Sequence, residues 1–247
     1  MANLKTLDVF FSAGSFNDEE LRNKVVVVID VLRASSTIVT ALLNGAKEII
    51  PVEDMGEASR ISQSVDSENL LLCGEKDGIK IDGYDLGNSP FEYTREAVGG
   101  KTLVFNTTNG TMAIKRGVGA DKLYVASFLN LSAVVSELKS TTKDIILVCA
   151  GWRGRLGLED LLLAGAIIYN LGDQHGASDL RDGSKVALGI YEKYREDLLA
   201  VILNSNHAVR LNNIAGEEDI RYCSQVDICN LLPELNDGII TAQYGKE

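Results

Sequence analysis

The chain has 247 residues, of which 45% are hydrophobic and 24% are charged, and its formal net charge is −11. This length and apolar content can bury a sizeable core, in one domain over 1–247 or in two closely packed halves, about 1–140 and 141–247. The negative charge argues against a nucleic-acid-binding protein, because that function requires a basic surface. An acidic chain can still bind an anionic ligand, but it then needs local donors or a metal ion.

The N-terminal sequence MANLKTLDVF predicts a cytoplasmic location, because it lacks the basic region and the long apolar run of a signal peptide. The longest strongly apolar run, Val25–Ile29, is too short to span a bilayer, so no membrane segment is expected. The four cysteines form no CxxC pair, and we expect them to be reduced. The oligomeric state stays open, and the sequence is compatible with a homo-oligomer.

Strand-like apolar runs alternate with amphipathic helical segments along the first two thirds of the chain. Several runs are continuous in Val, Ile and Leu, which is typical of strands buried on both faces. In chain order, the predicted elements are strand Asp8–Ser12, strand Lys24–Asp30, helix Ser36–Leu43, strand Ala46–Val52, helix Gly56–Val65, strand Asn69–Cys73, strand Lys101–Asn106, helix Asn109–Arg116, strand Lys122–Ser127, helix Ser132–Lys139, strand Asp144–Ala150 and helix Leu158–Leu171. This alternation predicts a three-layer α/β/α fold with a largely parallel or mixed sheet.

The last third of the chain is predicted to be more helical. Ser184–Arg210 reads as a long helical stretch with a break near Asn204–Asn206. Ile214–Gln225 is compatible with a short helix, and Gly238–Gln243 with a short strand. Earlier in the chain, the Gly-rich segment Gly74–Pro90 is long for a loop between a strand and a helix, and such loops are often functional.

Five of the predicted strands end in polar residues, and ligands of open α/β sheets bind beyond the carboxyl ends of strands. Strand by strand, these residues are Asp30, Arg33, Ser35, Ser36 and Thr37; Gly74 and Glu75; Asn106, Thr107, Thr108, Asn109 and Gly110; Ser127 and Asn130; and Gly151, Arg153, Arg155, Glu159 and Asp160. Small hydroxyl and amide residues before a helix cap its N-terminus and can also bind an anion. If the five ends converge, donors, carboxylates and arginines meet at one place.

Each of these groups also has a purely structural interpretation. Ser35–Thr37 and Thr107–Asn109 can simply cap helices, and Asp30 can be a turn residue. Glu159–Asp160 can be first-turn acids that complement a helix dipole. The sequence therefore indicates a candidate site without separating its ligands from its scaffold.

The chain has two histidines, His175 and His207. Both stand in polar sequence, and neither shows the pattern of a partner carboxylate. They are therefore predicted to be surface residues.

Cys149 and Arg155 are six residues apart, between a strand and a helix, which matches the Cys-x5-Arg spacing of cysteine phosphatases. In those enzymes the arginine and the helix dipole lower the pKa of the thiol. The flanking residues Val148 and Leu156 depart from that pattern. A buried, packing cysteine is the alternative interpretation.

Five segments resemble the motifs of the 2-phosphosulfolactate phosphatase family and follow the order of that family. They are IDVLRASSTIVTAL (Ile29–Leu42), GYDLGNSP (Gly83–Pro90), NTTNGT (Asn106–Thr111), CAGWRGRLGLEDLLLAGA (Cys149–Ala166) and DIRYCSQVD (Asp219–Asp227). The resemblance implies magnesium-dependent hydrolysis of (R)-2-phospho-3-sulfolactate to sulfolactate and phosphate, a step towards coenzyme M in methanogens. Family members also occur in bacteria that do not make that coenzyme, so the physiological substrate is open.

Roles can then be assigned to the residues at the strand ends. Because magnesium prefers hard oxygen ligands, its expected ligands are Asp30, Glu75, and Glu159 or Asp160. The catalytic candidates are Asp30, Arg33 and Asn109. The substrate-binding candidates are Ser35, Ser36, Thr107, Thr108, Gly110, Ser127, Asn130, Arg153 and Arg155.

Within that set, Arg33 and Thr107–Asn109 are expected to hold the phosphate of a small anionic phosphate ester. Arg153 or Arg155, with Ser127, is expected to take its sulfonate or carboxylate. Two alternatives remain open at this point. One is a non-catalytic anion-binding or regulatory module, and the other is a metal-independent cysteine phosphatase that uses Cys149.

Overall fold

The computed structural model describes residues 5–64, 69–172 and 180–244. The predicted surface histidine His175 lies outside these ranges. The strands are β1 (Leu7–Phe10), β2 (Val25–Ile29), β3 (Glu48–Val52), β4 (Leu70–Lys76), β5 (Ile79–Lys80), β6 (Thr102–Asn106), β7 (Lys122–Ala126), β8 (Ile145–Cys149), β9 (Leu231–Asn236) and β10 (Ile239–Tyr244). The helices are α1 (Ala34–Leu43), α2 (Met55–Ser64), α3 (Arg95–Val98), α4 (Gly110–Arg116), α5 (Leu131–Ser140), α6 (Leu158–Leu171), α7 (Asp182–Tyr194), α8 (Leu198–Leu203), α9 (Asn206–Ala215) and α10 (Glu217–Cys223).

The strands form one mixed sheet in the order β1-β8-β2-β7-β9-β10-β3-β6-β4-β5. We call the parallel strands β1, β8, β2 and β7 the first half-sheet, and the parallel strands β3, β6 and β4 the second half-sheet. The antiparallel hairpin β9–β10 joins them by pairing with β7 on one side and β3 on the other. The predicted α/β fold with a mixed sheet flanked by helices is confirmed.

Strands β2, β7 and β8 of the first half-sheet are buried on both faces, as their continuous apolar runs indicate. Val27 and Ile29 of β2 pack in one core with α6, while Val26 and Val28 pack in a second core with α1 and α4. The second core also contains Leu103 and Phe105 of β6. Helices α1 and α4 therefore pack against strands of both half-sheets.

Three antiparallel steps separate the two half-sheets, so their strands run in opposite senses along the ladder. The residues that follow β2 and β6 nevertheless lie close together: a Cβ placed on Gly110 would lie 2.8 Å from Oδ2 of Asp30.

The predicted elements agree with the structure within about two residues in most cases, and α6 has the predicted bounds. The expected break near Asn204–Asn206 is confirmed, because α8 ends at Leu203 and α9 begins at Asn206. Strand β9 was not predicted, and the stretch assigned to Gly74–Pro90 begins with the end of β4 and the short strand β5. In the described residues no helix is long and apolar enough to cross a bilayer.

Candidate functional site

A cleft opens where the carboxyl ends of the two half-sheets meet helix α9. Six of the residues predicted from the sequence line it: Asp30, Arg33, Glu75, Thr108, Asn109 and Arg153. Five polar or aromatic residues that had no predicted role in the site join them: Asp77, Asn88, Trp152, His207 and Arg210. The cleft therefore collects side chains from β2, β4, β6, β8 and the C-terminal helices.

Asp30 follows β2 directly and is only 8% exposed. Its backbone N–H donates to Ser35 Oγ over 2.8 Å, which fixes the turn into α1. Burial and the nearby charges of Glu75 and Glu159 raise the pKa of Asp30 from 3.8 to about 7, although His207 acts in the opposite direction. A buried carboxyl surrounded by acids requires compensation from a proton or a cation.

Arg33 lies before α1 and is 4% exposed. Its Nη1 donates to Asp219 Oδ2 over 2.5 Å, and its Nη2 donates to the carbonyl of Gly78 over 3.1 Å. Ser89 Oγ donates to the other oxygen of Asp219 over 2.7 Å. The ion-pair partner of Arg33 is therefore Asp219 on α10, 186 residues away. This ion pair holds the guanidinium in place at the edge of the cleft.

Glu75 braces the turn between β4 and β5. Its Oε2 accepts from the N–H of Gly78 over 2.5 Å and from Thr108 Oγ1 over 3.1 Å, and its Oε1 accepts from the N–H of Thr108 over 2.8 Å. Thr108 Oγ1 in turn accepts from the N–H of Asp77 over 3.1 Å. Both oxygens of Glu75 thus accept hydrogen bonds that hold these loops in place, and its charge also acts on nearby Asp30.

Glu159 and Asp160 open α6 and are 1% and 2% exposed. Asp160 accepts from the N–H groups of Val31 and Gly151, over 2.8 and 3.0 Å, and so ties β2 to β8. Burial, with Glu159 and Asp30, raises the pKa of Asp160 well above its ordinary value. Asp160 therefore acts as a brace between two backbone segments.

Glu159 pairs with the histidine that the sequence placed on the surface. His207 Nδ1 lies 2.6 Å from Glu159 Oε1, and the side chain of His207 is 12% exposed. The imidazole stacks on Trp152, with ring centroids 5.4 Å apart and an interplanar angle of 13°. The prediction of a surface histidine without a carboxylate partner was wrong, because α9 brings the ring to α6 from 48 residues away.

The residues after β6 divide between capping and the cleft. Thr107 Oγ1 accepts from the N–H of Thr111 over 3.1 Å and caps α4, as its structural interpretation required. Thr108 and Asn109 line the cleft. Gly110 is required by close packing, since a Cβ there would also lie 2.5 Å from Ala34 Cβ.

Besides Thr107 and Gly110, five more predicted substrate ligands do not line the cleft. Ser35 and Ser36 are buried, and their hydroxyls bond the backbone of Asp30 and Val31. Ser127 and Asn130 are fully buried and bond each other. Arg155 is exposed beyond the turn that carries Arg153, because the two chain segments of that turn pair at Trp152 and Arg155. We therefore correct the predicted substrate role of these five residues to scaffold or surface.

Cys149 ends β8 and is 1% exposed within the core that contains α6. Burial, with the charges of Asp160 and Glu159, raises the pKa of its thiol well above the ordinary value. A nucleophilic cysteine requires the opposite shift. The structure therefore supports the packing interpretation over a cysteine phosphatase.

The expected three-carboxylate magnesium set does not form in the structure. Within residues 5–64, 69–172 and 180–244, no three His, Cys, Asp or Glu side chains gather to hold a metal ion. In Glu75 and in Asp160, each of the two carboxylate oxygens already accepts a hydrogen bond from the protein. Magnesium, however, is often held by one or two carboxylates together with water and substrate oxygens. Asp30 fits that mode, because it is buried among acids without a basic ion-pair partner in the described chain.

Two sequence signals could have found the missed residues. His207, Arg210 and Leu211 have the i, i+3, i+4 spacing of one helix face, directly after the N-cap Ser205. Trp152 and Asp219 stand inside two of the family-like segments, but they received no role. Asn88 stands inside a third, and its Oδ1 is buried without a hydrogen-bond partner among the described residues.

Comparison with known proteins gives a consistent result. A family model described as 2-phosphosulpholactate phosphatase matches residues 11–238. A Caldanaerobacter subterraneus subsp. tengcongensis protein named "Probable 2-phosphosulfolactate phosphatase" is 42% identical over 236 residues, 95% of this chain and 97% of that protein. Proteins with the same name from Thermotoga petrophila and Clostridium perfringens are 46% identical over 216 residues and 42% identical over 236 residues. These two alignments cover 87% and 95% of this chain, and 91% and 95% of the relatives.

Proposed function

Because this chain belongs to the 2-phosphosulfolactate phosphatase family, we propose that it hydrolyses 2-phosphosulfolactate, or a similar small anionic phosphate ester, with the help of magnesium. The products are the corresponding alcohol, here sulfolactate, and inorganic phosphate. The observation that carries the proposal is the meeting of buried Asp30 with cationic and amide donors in one cleft. Such a cleft combines a place for a cation with donors for phosphate oxygens.

Arg33 and Asn109 hold the phosphoryl group, and Thr108, whose N–H and hydroxyl both donate to Glu75, positions the loop beside them. A guanidinium has five N–H donors, and Arg33 spends two of them on Asp219 and Gly78, so three remain for phosphate oxygens. The ion pair with Asp219 fixes the plane of the fork before the substrate arrives. A preoriented donor stabilises developing charge without reorganisation during the reaction.

Asp30 holds the magnesium ion, and Glu159 adds negative charge beside it. When bound, the ion supplies Lewis-acid stabilisation of the phosphoryl oxygens. An acidic chain can therefore bind this anion in two ways at once: the Asp30 carboxylate attracts the cation, and the Arg33 guanidinium contacts the phosphate directly.

His207 handles the proton of the leaving group. Its Nδ1 is fixed by Glu159 Oε1 at 2.6 Å, which leaves Nε2 as the ring nitrogen that can act on the substrate. As the water oxygen bonds to phosphorus and the ester P–O bond breaks, Nε2 passes a proton to the departing oxygen. The phosphate product, which keeps the two protons of the water, then returns one of them to Nε2. Glu159 fixes the orientation of the ring that this transfer requires.

The test is phosphate release from 2-phosphosulfolactate and a panel of simple phosphate esters, with EDTA and with added magnesium. We expect release to fall to background in EDTA and to return with magnesium. Full activity in EDTA would remove the metal from the proposal. No release from any ester, with ligand binding intact, would favour the non-catalytic anion-binding module.

A further inference from the structure

Asn88 lines the cleft together with Arg33 and carries a buried hydrogen-bond acceptor that the protein itself does not use. The residue is 5% exposed, and its Oδ1 has no hydrogen-bond partner within the part of the chain that the structure describes. Nearly all buried polar atoms have such a partner, because an unpaired one destabilises the fold. A buried, unpaired acceptor in the wall of a cleft therefore indicates a donor that arrives with the ligand.

The loop that carries Asn88 is held in place by other residues. The backbone carbonyl of Asn88 accepts from Thr37 Oγ1 over 2.9 Å. The N–H groups of Gly87 and Ser89 donate to the carboxylate of Glu92, over 2.8 and 3.4 Å. These bonds fix the backbone on both sides of Asn88. The position of its side chain therefore does not depend on any bond made by Oδ1.

A second groove meets the cleft at Asn88. Arg33, Gly78 and Asn88 line both the cleft and this groove. Trp152 and His207 line the cleft but not the groove. Asn88 and the proton donor His207 therefore lie on different sides of the space in which Arg33 holds the phosphoryl group. Displacement at phosphorus requires this arrangement, because the attacking and the leaving oxygens are roughly in line through the phosphorus atom.

We propose that the side-chain amide of Asn88 orients the water molecule that attacks phosphorus. This inference rests on the proposed function and adds to it the residue that positions the nucleophile. The second groove gives this water a route from solvent that does not pass the leaving group.

The chemistry of an amide oxygen suits water better than it suits phosphate. Phosphate oxygens accept hydrogen bonds and match the guanidinium of Arg33, whereas Oδ1 of Asn88 needs a donor. When one O–H of the water donates to Oδ1, a lone pair of the water can point to phosphorus. The terminal torsion of asparagine is soft, so the amide can turn its oxygen towards this water. An amide is not a base, so the water keeps both protons while its oxygen bonds to phosphorus.

Stability separates an orienting role from a scaffold role. Asn88→Leu replaces the amide with an apolar side chain of similar size and should not lower the unfolding temperature. Asn130→Leu is the matched comparison, because the buried amide of Asn130 bonds Ser127, Val125 and Leu231. It should lower the unfolding temperature by several degrees. An equal loss in Asn88→Leu would make Asn88 a scaffold residue and overturn the inference.

Kinetics on 2-phosphosulfolactate test the role in turnover. Asn88→Leu should lower kcat about 10- to 100-fold and leave KM within about threefold of wild type. Asn88→Asp keeps an acceptor at the same place, so its kcat should stay within about tenfold of wild type, although its charge raises KM. Equal kcat values in Asn88→Leu and wild type, or in Asn88→Leu and Asn88→Asp, would reject the orienting role. So would full recovery of Asn88→Leu at higher magnesium, since the oxygen would then hold the cation. If Asn88→Leu does not fold, Asn88→Ala takes its place.

Binding of orthovanadate and inorganic phosphate gives a test that does not depend on turnover. Vanadate can take a fifth oxygen from water and so resembles the species in which the water oxygen joins phosphorus, and such analogues bind more tightly than ground-state ligands. With magnesium present, calorimetry should show at least about tenfold tighter binding of vanadate than of phosphate to wild type. Asn88→Leu should lose most of this preference while its affinity for phosphate changes less than about threefold.

The two ligands also separate this inference from the proposed function. If wild type hydrolyses no ester, the proposed function fails, and the preference for vanadate still decides the role of Asn88. The same preference in Asn88→Leu and wild type, or no preference in wild type, would overturn the inference even if hydrolysis is confirmed. An equal loss of affinity for both ligands would make Asn88 a phosphate ligand and would also overturn it.

Discussion

The two half-sheets bring carboxylates to the same cleft and use them differently. On the side of the first half-sheet, Asp30 and Glu159 are both buried. Asp30 has a raised pKa, and Glu159 orients His207, so we assign both carboxylates to the reaction. From the second half-sheet, Glu75 accepts three hydrogen bonds from its own loops. Asp30 directly follows β2 and Glu75 lies near the end of β4, so a position at a strand end does not by itself assign a role.

The number of local donors explains the difference. Where backbone N–H groups and hydroxyls are available, as around Glu75 and Asp160, they saturate the carboxylate and make it a brace. Where donors are few, as around Asp30, the charge remains to be compensated by a ligand. Counting donors around each acid therefore separates candidate metal ligands from scaffold.

The substitution Asp30→Asn should have the largest effect on activity. It removes the charge that recruits the cation, so we expect kcat on 2-phosphosulfolactate to fall about 1,000-fold or more. The free energy of unfolding should not decrease, because a neutral amide relieves the burial of a charge among acids. Steady-state phosphate release and thermal unfolding by circular dichroism measure the two effects. Activity within tenfold of wild type would remove Asp30 from the reaction.

Arg33→Lys should come next, although the charge is kept. Lysine cannot reproduce a fork that bonds Asp219, Gly78 and the phosphate at once. We expect kcat to fall by about 100-fold, as for the loss of one oriented donor. An effect confined to KM, and absent for esters without a sulfonate, would instead place Arg33 at the other end of the substrate.

Glu75→Gln should have a smaller effect and shows the contrast between the half-sheets. The amide can still accept from one or two of the three donors but loses the strength of a charged acceptor. We expect about 1–3 kcal/mol lower stability and less than about tenfold lower kcat. Denaturant unfolding and kinetics on the same preparation test both numbers. A loss of activity equal to that of Asp30→Asn would restore Glu75 to the metal set.

Cys149→Ser should have the smallest effect on turnover. The thiol packs in the core beside α6, so a serine costs about 1 kcal/mol of stability through its buried hydroxyl, and kcat should change less than about threefold. Thermal unfolding and kinetics again provide the measurement. A loss of about 10,000-fold with normal stability would mark Cys149 as a nucleophile.

Much of the fold could be predicted from the sequence, because apolar runs and amphipathic helix faces indicate strands and helices from neighbouring residues alone. Strand β9 was not, since Pro233 interrupts the run LLPELN and proline is disfavoured inside a sheet. The structure tolerates it because the ladder to β7 ends at Glu234, so Pro233 pairs only with Ala242 of β10 in the described ladders. Without β9, the opposite senses of the two half-sheets could not be foreseen.

Site residues could be predicted from the sequence where they lie at or just beyond a strand end, as for Asp30, Glu75 and Asn109. It was hidden where a long-range contact decides the role. His207 meets Glu159, and Arg33 meets Asp219 across 186 residues. Likewise Ser127 and Asn130 end a strand as predicted, but they turn inward to each other. Strand ends predict where a cleft forms, and tertiary partners decide which side chains face it.

The hairpin β9–β10 also has a consequence for the order of folding. The strands of both half-sheets lie before residue 150, whereas the hairpin that joins them begins at Leu231. The pairing of Ile49 in β3 with Ile240 in β10 can therefore form only after most of the chain has been synthesised. Contacts so distant in sequence form slowly, because the intervening chain must first lose its freedom. A ribosome-bound chain that ends before Leu231 contains every strand of both half-sheets but lacks the hairpin that joins them. We therefore expect the two half-sheets to reach their final orientation, and the cleft to form, late in folding.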